Sequence, residues 1–159
     1  MGDLTHVNAA GAAQMVDVTG KAVTDRVAVA TGVVRTTAEV VSLLESNGLK
    51  KGDALAVARV AGIMGAKRTP DLVPLCHPLP ITGVTVDFAL AADSVGIIAT
   101  VRTSGQTGVE MEALTAVTVA GLTLHDMIKA VDPAAVLSEV RLDRKEGGKT
   151  GVWTRPEGR

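Results

Sequence analysis

The most unusual stretch of the chain is Leu75-Cys76-His77-Pro78, which places a thiol beside an imidazole. The proline that follows His77 biases this histidine toward extended backbone geometry. An imidazole held in a rigid loop can bind a ligand, and it changes charge near neutral pH. A structural histidine beside a small buried thiol is the alternative, and the residues alone leave both interpretations open.

A second group with chemical potential is Glu110-Met111-Glu112, at the start of a long predicted helix. Thr107 and Glu110 have the spacing of a capping box, which gives Glu110 a structural interpretation. Glu112 has no such partner. Because carboxylates in a first helical turn also complement the helix dipole, a purely structural role stays open for both glutamates.

Asp126 and Lys129 lie three residues apart on the same helix, so their side chains can meet. Such pairs are usually surface ion pairs of little energetic weight. If partly desolvated, they could instead exchange protons with a substrate. Glu112 and Asp126 are 14 residues apart, which is about 21 Å along a straight helix. If both Glu112 and Asp126 are functional, either the chain has two sites or a second subunit completes a single site.

Basic side chains cluster in three places that could serve phosphate groups. The clusters are Lys50-Lys51-Gly52-Asp53, Lys67-Arg68-Thr69 and the segment 144–151. The last contains Gly148-Lys149-Thr150, but a phosphate-binding P-loop also requires glycine at position 143, where Asp143 stands, and a following helix. We therefore reject a P-loop, while a flexible Gly/Lys segment that closes over phosphate and a solvated tail both remain open.

The elements that must position these side chains follow the order strand, helix, helix, strand, strand, helix, strand. The strands are predicted at 26–35, 84–90, 96–102 and 136–142. The first helix is capped by Thr36 and Glu39 and ends at Asn47-Gly48, the second is capped by Asp53, and the third spans 109–131. A constrained loop with four prolines spans 67–80. This order predicts an α+β fold, a ferredoxin-like antiparallel sheet covered by helices, with one extra helix. We expect a single catalytic domain over 1–159, with an extended N-terminal arm (1–25) and a flexible Gly/Lys-rich tail (143–159).

Composition excludes several classes of protein. The formal net charge is −1 and the only aromatic residues are Phe88 and Trp153, which argues against nucleic-acid binding by bulk charge or base stacking. Cys76 is the only cysteine, so no internal disulfide and no zinc ribbon is expected. The N-terminus lacks the pattern of a signal peptide, and no apolar run reaches the roughly 20 residues of a membrane span. We therefore expect a cytoplasmic protein.

The predicted long helix contains twelve consecutive uncharged residues, Ala113–Leu124. A helix that is apolar or small on every side must be covered on every side. A one-sided sheet in a chain of 159 residues offers few neighbours for that purpose. We therefore predict a homo-oligomer in which this helix packs between subunits, although alanine and threonine also tolerate exposure.

Taken together, these motifs resemble the molybdenum cofactor biosynthesis protein C family of cyclic pyranopterin monophosphate synthases. The motifs are Leu4-Thr5-His6, Met15-Val16-Asp17-Val18, Lys51-Gly52-Asp53, Ala66-Lys67-Arg68-Thr69, Pro74-Leu75-Cys76-His77-Pro78-Leu79, the nonapeptide Thr107–Thr115 (TGVEMEALT), Asp126-Met127-Ile128-Lys129-Ala130-Val131 and Gly147-Gly148-Lys149. They cover about residues 4–151 in the order and spacing of the family. The proline-rich string and the nonapeptide are specific enough that both are not expected by chance.

The resemblance implies an activity and a set of site residues. The family converts 3′,8-cyclo-7,8-dihydro-GTP to cyclic pyranopterin monophosphate with loss of pyrophosphate, in hexamers (trimers of dimers) with sites at subunit interfaces. By position, the resemblance makes Asp126 the acid/base residue, with Lys129 and Lys51 as catalytic partners. The implied substrate-binding residues are Leu75, Cys76, His77, Glu110, Met111 and Glu112, and Arg26, Lys67, Lys145 and Lys149 are further candidates. No resident cofactor is implied, although magnesium could accompany the triphosphate.

Two rival functions remain, because a fold alone does not fix function. The first is a non-catalytic oligomeric module that binds guanine nucleotides. The second is a metal-dependent hydrolase that uses His77, Glu110 and Glu112, which is disfavoured because no two histidines have helical spacing.

Overall fold

A computed structural model of the chain describes residues 6–149 and 151–158. Leu4 and Thr5 of the first motif, and Thr150 next to the Gly-Lys segment, lie outside the described residues. The elements in chain order are β1 (Thr24–Arg35), α1 (Ala38–Glu45), α2 (Ala54–Lys67), α3 (Thr69–Leu72), β2 (Ile81–Ala91), β3 (Ser94–Gly105), α4 (Glu110–Ile128), β4 (Val136–Glu146) and β5 (Trp153–Thr154).

The strands form one sheet in the order β2-β3-β1-β4-β5, with every neighbouring pair antiparallel. The predicted α+β class, an antiparallel sheet covered by helices, is confirmed. Alternation explains the sheet: Val86 on β2 is buried, while Thr85 and Asp87 beside it are exposed. No helix in the described residues has the length and apolar character needed to cross a membrane.

Helix α4 packs between the sheet and α2, and small residues make the helix contact close. A Cβ atom added at Gly62 of α2 would lie 2.9 Å from the backbone oxygen of Ala116 on α4, so only glycine allows this approach. Ala113, Ala116 and Ala120 on α4 are fully buried by these neighbours. Leu122 of the same helix remains 66% exposed, so the chain by itself covers the uncharged run only in part.

Two predicted helix caps are wrong, and a third is confirmed. Thr37 rather than Thr36 caps α1, because the Thr36 hydroxyl donates instead to the buried Asp132 carboxylate at 2.8 Å. Helix α4 has Val109 at its N-cap position with no side-chain cap, so the capping box of Thr107 with Glu110 does not form. Asp53 caps α2 as predicted and accepts from the Ala56 amide at 2.9 Å.

Several predicted boundaries also shift. The long helix ends at Ile128 instead of 131, and the proline-rich loop contains the short helix α3. Strand β1 begins at Thr24, two residues before its predicted start at 26 and inside the predicted arm. Strand β4 runs to Glu146 and β5 pairs with it, so parts of the segment predicted as a tail belong to the sheet. The end of β4 (143–146) is polar and only half-buried, so its sequence does not differ from that of a solvated tail.

Candidate functional site

Three predicted catalytic side chains meet at the C-terminal end of α4, in a group that we call the lysine–aspartate cluster (Lys51, Asp126 and Lys129). The Lys51 ammonium donates to the Asp126 carboxylate at 2.9 Å and to the Asp126 backbone oxygen at 2.7 Å. The Lys129 ammonium lies 2.7 Å from the other carboxylate oxygen of Asp126. Lys51 comes from the turn between α1 and α2, whose length is fixed by the cap at Asp53.

The electrostatics of this cluster follow from two cations on one carboxylate. Hydrogen bonds from Lys129 and Lys51 lower the pKa of Asp126 to about 2. Lysines near a helix C-terminus are also favoured by the helix dipole. All three side chains remain about half exposed, so a ligand can reach them from solvent.

A second group gathers near the N-terminal end of α4. A cavity of about 500 Å³ is lined by Leu75 and Cys76 from the proline-rich loop, by Met111 from α4, and by His6 and Ala13 from the N-terminal arm. Burial and the charge of Glu112 raise the pKa of the Cys76 thiol, which therefore stays protonated at neutral pH. We call this cavity, together with His77 and Glu112, which directly follow the lining residues Cys76 and Met111 in the chain, the histidine–glutamate pocket.

Glu112 is the least exposed carboxylate of the site, with 3% of its surface accessible. Burial, with a smaller contribution from the neighbouring charge of Glu110, raises the pKa of Glu112 to about 7. A carboxyl group with such a pKa can both give and take a proton at neutral pH. On the arm, hydrogen bonds from Thr19 and the nearby positive charge of His77 lower the pKa of Asp17.

The segment that leads into α4 is tied to two strands. Arg26 on β1 donates to the backbone oxygens of Gly105 at 3.0 Å and Gln106 at 3.2 Å. Lys145 on β4 forms an ion pair with Glu110 at 3.0 Å. The Glu110 carboxylate lies so close to Gly108 that a side chain at Gly108 would have to displace this carboxylate from its ion pair with Lys145.

A basic cleft of about 660 Å³ opens beside this segment. Its lining includes Lys21, Arg26, Gln106, Thr107 and Lys149. Thr24 also lines the cleft, and its buried hydroxyl has no hydrogen-bond partner among the described residues. The basic side chains Lys21, Arg26 and Lys149 give this cleft the charge to receive an anionic group.

Two adjacent glycines, of which Gly148 lines the cleft, lie against the start of β1. Gly147 and Gly148 have φ values of +96° and +68°, and a Cβ atom at either would collide with the start of β1. At Gly148 the obstacle is the Arg26 guanidinium itself. The backbone of the segment Gly147-Gly148-Lys149 thus packs closely against Arg26. This contact explains the two glycines, which the rejected P-loop pattern does not.

The predicted site residues therefore divide into two groups at opposite ends of α4. The lysine–aspartate cluster forms within one chain, and Leu75, Cys76, Met111 and Glu112 gather at the other end. The helix is continuous from Glu110 to Ile128, so Glu112 and Asp126 are about 21 Å apart along its axis. Lys67 joins neither group, because it lines a separate groove of about 400 Å³ beside Leu79 and Ile81.

Three residues near these cavities were not singled out as site residues from the sequence, namely His6, Asp17 and Gln106. His6 and Asp17 belong to motifs that carry the family resemblance, and these motifs could have marked them as site residues. Gln106 had none, because its side chain bonds to backbone oxygens 85 and 87 residues away. In residues 6–149 and 151–158, no group of three or more His, Cys, Asp or Glu side chains could hold a metal ion.

An α+β sheet-and-helix fold that carries a buried glutamate of raised pKa and an aspartate paired with two lysines suits the class of enzymes that perform acid–base chemistry. Comparison with known proteins gives the particular family. The chain belongs to the MoaC family, whose sequence model matches residues 15–148. The predicted function, that of a cyclic pyranopterin monophosphate synthase in molybdenum cofactor biosynthesis, is confirmed at the level of this family.

Curated relatives cover nearly the whole chain. Cyclic pyranopterin monophosphate synthase 2 of Mycobacterium tuberculosis (strain ATCC 25618 / H37Rv) is 62% identical over 154 residues, 97% of this chain and 92% of its own length. The cyclic pyranopterin monophosphate synthase of Streptomyces coelicolor is 63% identical over 152 residues, 96% of this chain and 89% of its own. That of Corynebacterium efficiens is 63% identical over 154 residues, 97% of this chain and 99% of its own.

Proposed function

We propose that this chain converts 3′,8-cyclo-7,8-dihydro-GTP to cyclic pyranopterin monophosphate and pyrophosphate. The observation that carries the proposal is the lysine–aspartate cluster, in which two ammonium groups are held on one exposed carboxylate. An arrangement that presents two cations to solvent suits a substrate that carries a triphosphate.

The phosphorus chemistry needs both a base and positive charge. A ribose-derived hydroxyl attacks the first phosphorus, a new phosphorus–oxygen bond forms, and the bond to the bridging oxygen breaks. Pyrophosphate leaves with the electron pair of that bond, and the hydroxyl proton passes to a base. Because its pKa is about 2, Asp126 is ionised at neutral pH and can accept but not donate a proton. Lys51 and Lys129 stabilise the charge that develops on the leaving group.

Rearrangement of the guanine-derived ring needs groups that move protons in both directions. Glu112 suits this task, because its pKa of about 7 lies near the working pH. His77 lies in the same proline-rich loop as Cys76 and beside the arm, and we assign it with Leu75, Cys76, Glu110 and Met111 to binding the ring system. We assign Arg26, Lys145 and Lys149 to the phosphate-bearing end of the substrate, next to the basic cleft.

We propose that each complete site combines the lysine–aspartate cluster of one chain with the histidine–glutamate pocket of another, in a homo-oligomer expected to be a hexamer. The distance of about 21 Å between Glu112 and Asp126 supports this arrangement, because one small substrate cannot contact both in a single chain. Exposed apolar side chains on α2 and α4 (Val60, Met64 and Leu122) support the burial of this face by another copy. We further propose one catalytic domain over the whole chain and a cytoplasmic setting, which suits the free thiol of Cys76.

The test is turnover of enzymatically prepared 3′,8-cyclo-7,8-dihydro-GTP by the purified chain. Pyrophosphate and the fluorescent oxidised pterin should appear in equal amounts, and GTP in place of the substrate should release no pyrophosphate. Tight binding of the substrate without pyrophosphate release would support the non-catalytic module instead. Loss of turnover with a chelator would point to the metal-dependent alternative.

A further inference from the structure

The N-terminal arm, residues 6–23, is held in a defined shape by its own hydrogen bonds. The side-chain oxygen of Asn8 accepts from the amides of Ala10 at 3.0 Å and Ala12 at 2.9 Å. The Gln14 amide donates to the backbone oxygen of His6 at 3.0 Å. This closed loop presents His6 as one wall of the histidine–glutamate pocket.

The inner part of the arm forms a wall of the other cavity. Gly20, Lys21 and Ala22 line the basic cleft. One arm thus supplies walls to both cavities near the N-terminal end of α4, its outer part to one and its inner part to the other. All three of these residues are exposed, and burial alone does not hold them in place.

The contact that holds the inner arm is the side chain of Gln106. Its Nε2 atom donates to the backbone oxygens of Thr19 at 3.3 Å and Lys21 at 3.1 Å. Both partners are carbonyl groups, which can only accept, so the position requires a side chain that donates twice. Glutamine meets this requirement, and a lysine ammonium would meet it as well.

Gln106 is itself fixed to the segment that starts α4. Its backbone oxygen accepts from the Arg26 guanidinium at 3.2 Å. Glu110 and Glu112 follow within six residues, on the first turn of the helix. The Gln106 side chain therefore couples the position of the arm to the helix end that carries the predicted substrate-binding glutamates.

We propose that Gln106 is a positioning residue for the reaction, which latches the N-terminal arm against the entrance of α4 and closes both cavities around the bound substrate. The proposal rests on the proposed function, because substrate turnover is one of its readouts. The arm supplies walls and none of the reacting groups that we assign. Loss of the latch should thus lower the fraction of chains competent to bind and raise KM, while kcat stays nearly unchanged.

The test compares Gln106→Met, which keeps the side-chain length and removes the donor, with Gln106→Lys, which restores a donor. Gln14→Met is the matched control, since Gln14 is exposed on the same arm and its side chain takes no part in the latch. For Gln106→Met we expect KM to rise about tenfold, with kcat within about twofold of wild type. Amide hydrogen exchange in residues 6–23 should accelerate in Gln106→Met and stay near wild type in the other two variants.

Each outcome decides for or against the latch. Unchanged hydrogen exchange in Gln106→Met, a fall in kcat at constant KM, or failure of Gln106→Lys to restore protection would overturn it. If the wild type itself does not turn the substrate over, the proposed function fails. The exchange data then still test the latch, because they need no substrate.

Discussion

Glu112 and Asp126 stand at opposite ends of one uninterrupted helix, and each has its pKa shifted in the opposite direction. Burial raises the pKa of Glu112 to about 7, while Lys129 and Lys51 lower the pKa of Asp126 to about 2. Two carboxyl groups of the same chain thus suit different tasks: one can exchange protons near neutral pH, and the other stays ionised, holds two lysines and can only accept a proton. Their separation of about 21 Å along α4 is the basis for our proposal that the site is shared between chains.

The lysine–aspartate cluster should be essential for turnover and dispensable for folding. We expect Lys51→Ala and Asp126→Asn each to reduce kcat by about a hundredfold or more, because Lys51→Ala removes a cation from the leaving phosphates and Asp126→Asn removes the proton acceptor that also holds both lysines. Steady-state release of pyrophosphate measures the effect, and circular dichroism checks the fold. Lys50→Ala is the matched control, since it removes an equal charge one residue away and should leave kcat unchanged. Near-wild-type turnover of Lys51→Ala would remove this residue from the mechanism.

Burial of Glu112 should make stability depend on pH in a particular direction. The pKa of Glu112 in the folded chain is about 7, against a usual value of 4.5. Between these values the folded state binds more protons than the unfolded state, so the free energy of unfolding falls as pH rises across this window. Above about pH 7 the penalty for a buried charge is fully present.

Glu112→Gln should remove that penalty. Denaturant unfolding at pH 5 and pH 8 measures it, and we expect the variant to gain up to about 3 kcal/mol relative to wild type between the two pH values. Glu39→Gln, an exposed glutamate in the first turn of α1, controls for a general effect of charge removal. An equal gain at both pH values would show that Glu112 titrates normally.

Two glycines near the end of β4 allow a matched comparison at the basic cleft. Gly148 and Gly151 both have positive φ, at +68° and +65°. A side chain at Gly148 would meet the Arg26 guanidinium, whereas nothing lies within 4 Å of a Cβ atom at Gly151. Alanine at either position should destabilise the chain by about 1 kcal/mol through backbone strain.

Only Gly148→Ala should also disturb Arg26 and thereby raise KM, by about tenfold. Thermal unfolding and steady-state kinetics of the two variants separate the shared strain from the local displacement. Equal KM values in both variants would exclude Arg26 from substrate binding.

The sequence predicted the sheet and the Asp126–Lys129 pair because both depend on local spacing, whereas Lys51, 75 residues from Asp126, was placed with them only by the family resemblance. Alternation along β2 sets which side chains face the core, and the spacing of Asp126 and Lys129 brings them together on one helix face. The cap at Asp53 was predicted for the same reason.

The capping predictions at Thr36 and Thr107 were wrong for the opposite reason. Thr36 bonds to Asp132, 96 residues away, and Glu110 pairs with Lys145 on β4. These partners are brought close only by the tertiary fold, which competes with the local cap. The role of Gln106 was missed for the same cause, since its partners lie on the distant arm.

The proposed shared site joins the lysine–aspartate cluster of one chain to Glu112 of another. In the direct test, Asp126→Asn and Glu112→Gln chains, each expected to be inactive alone, are unfolded, mixed in equal amounts and refolded together. Native mass spectrometry confirms that mixed oligomers form. Random assembly of a shared site should restore about a quarter of wild-type activity per site, because about one site in four then contains both intact groups. Mixed oligomers that remain as inactive as the separate variants would contradict the shared site.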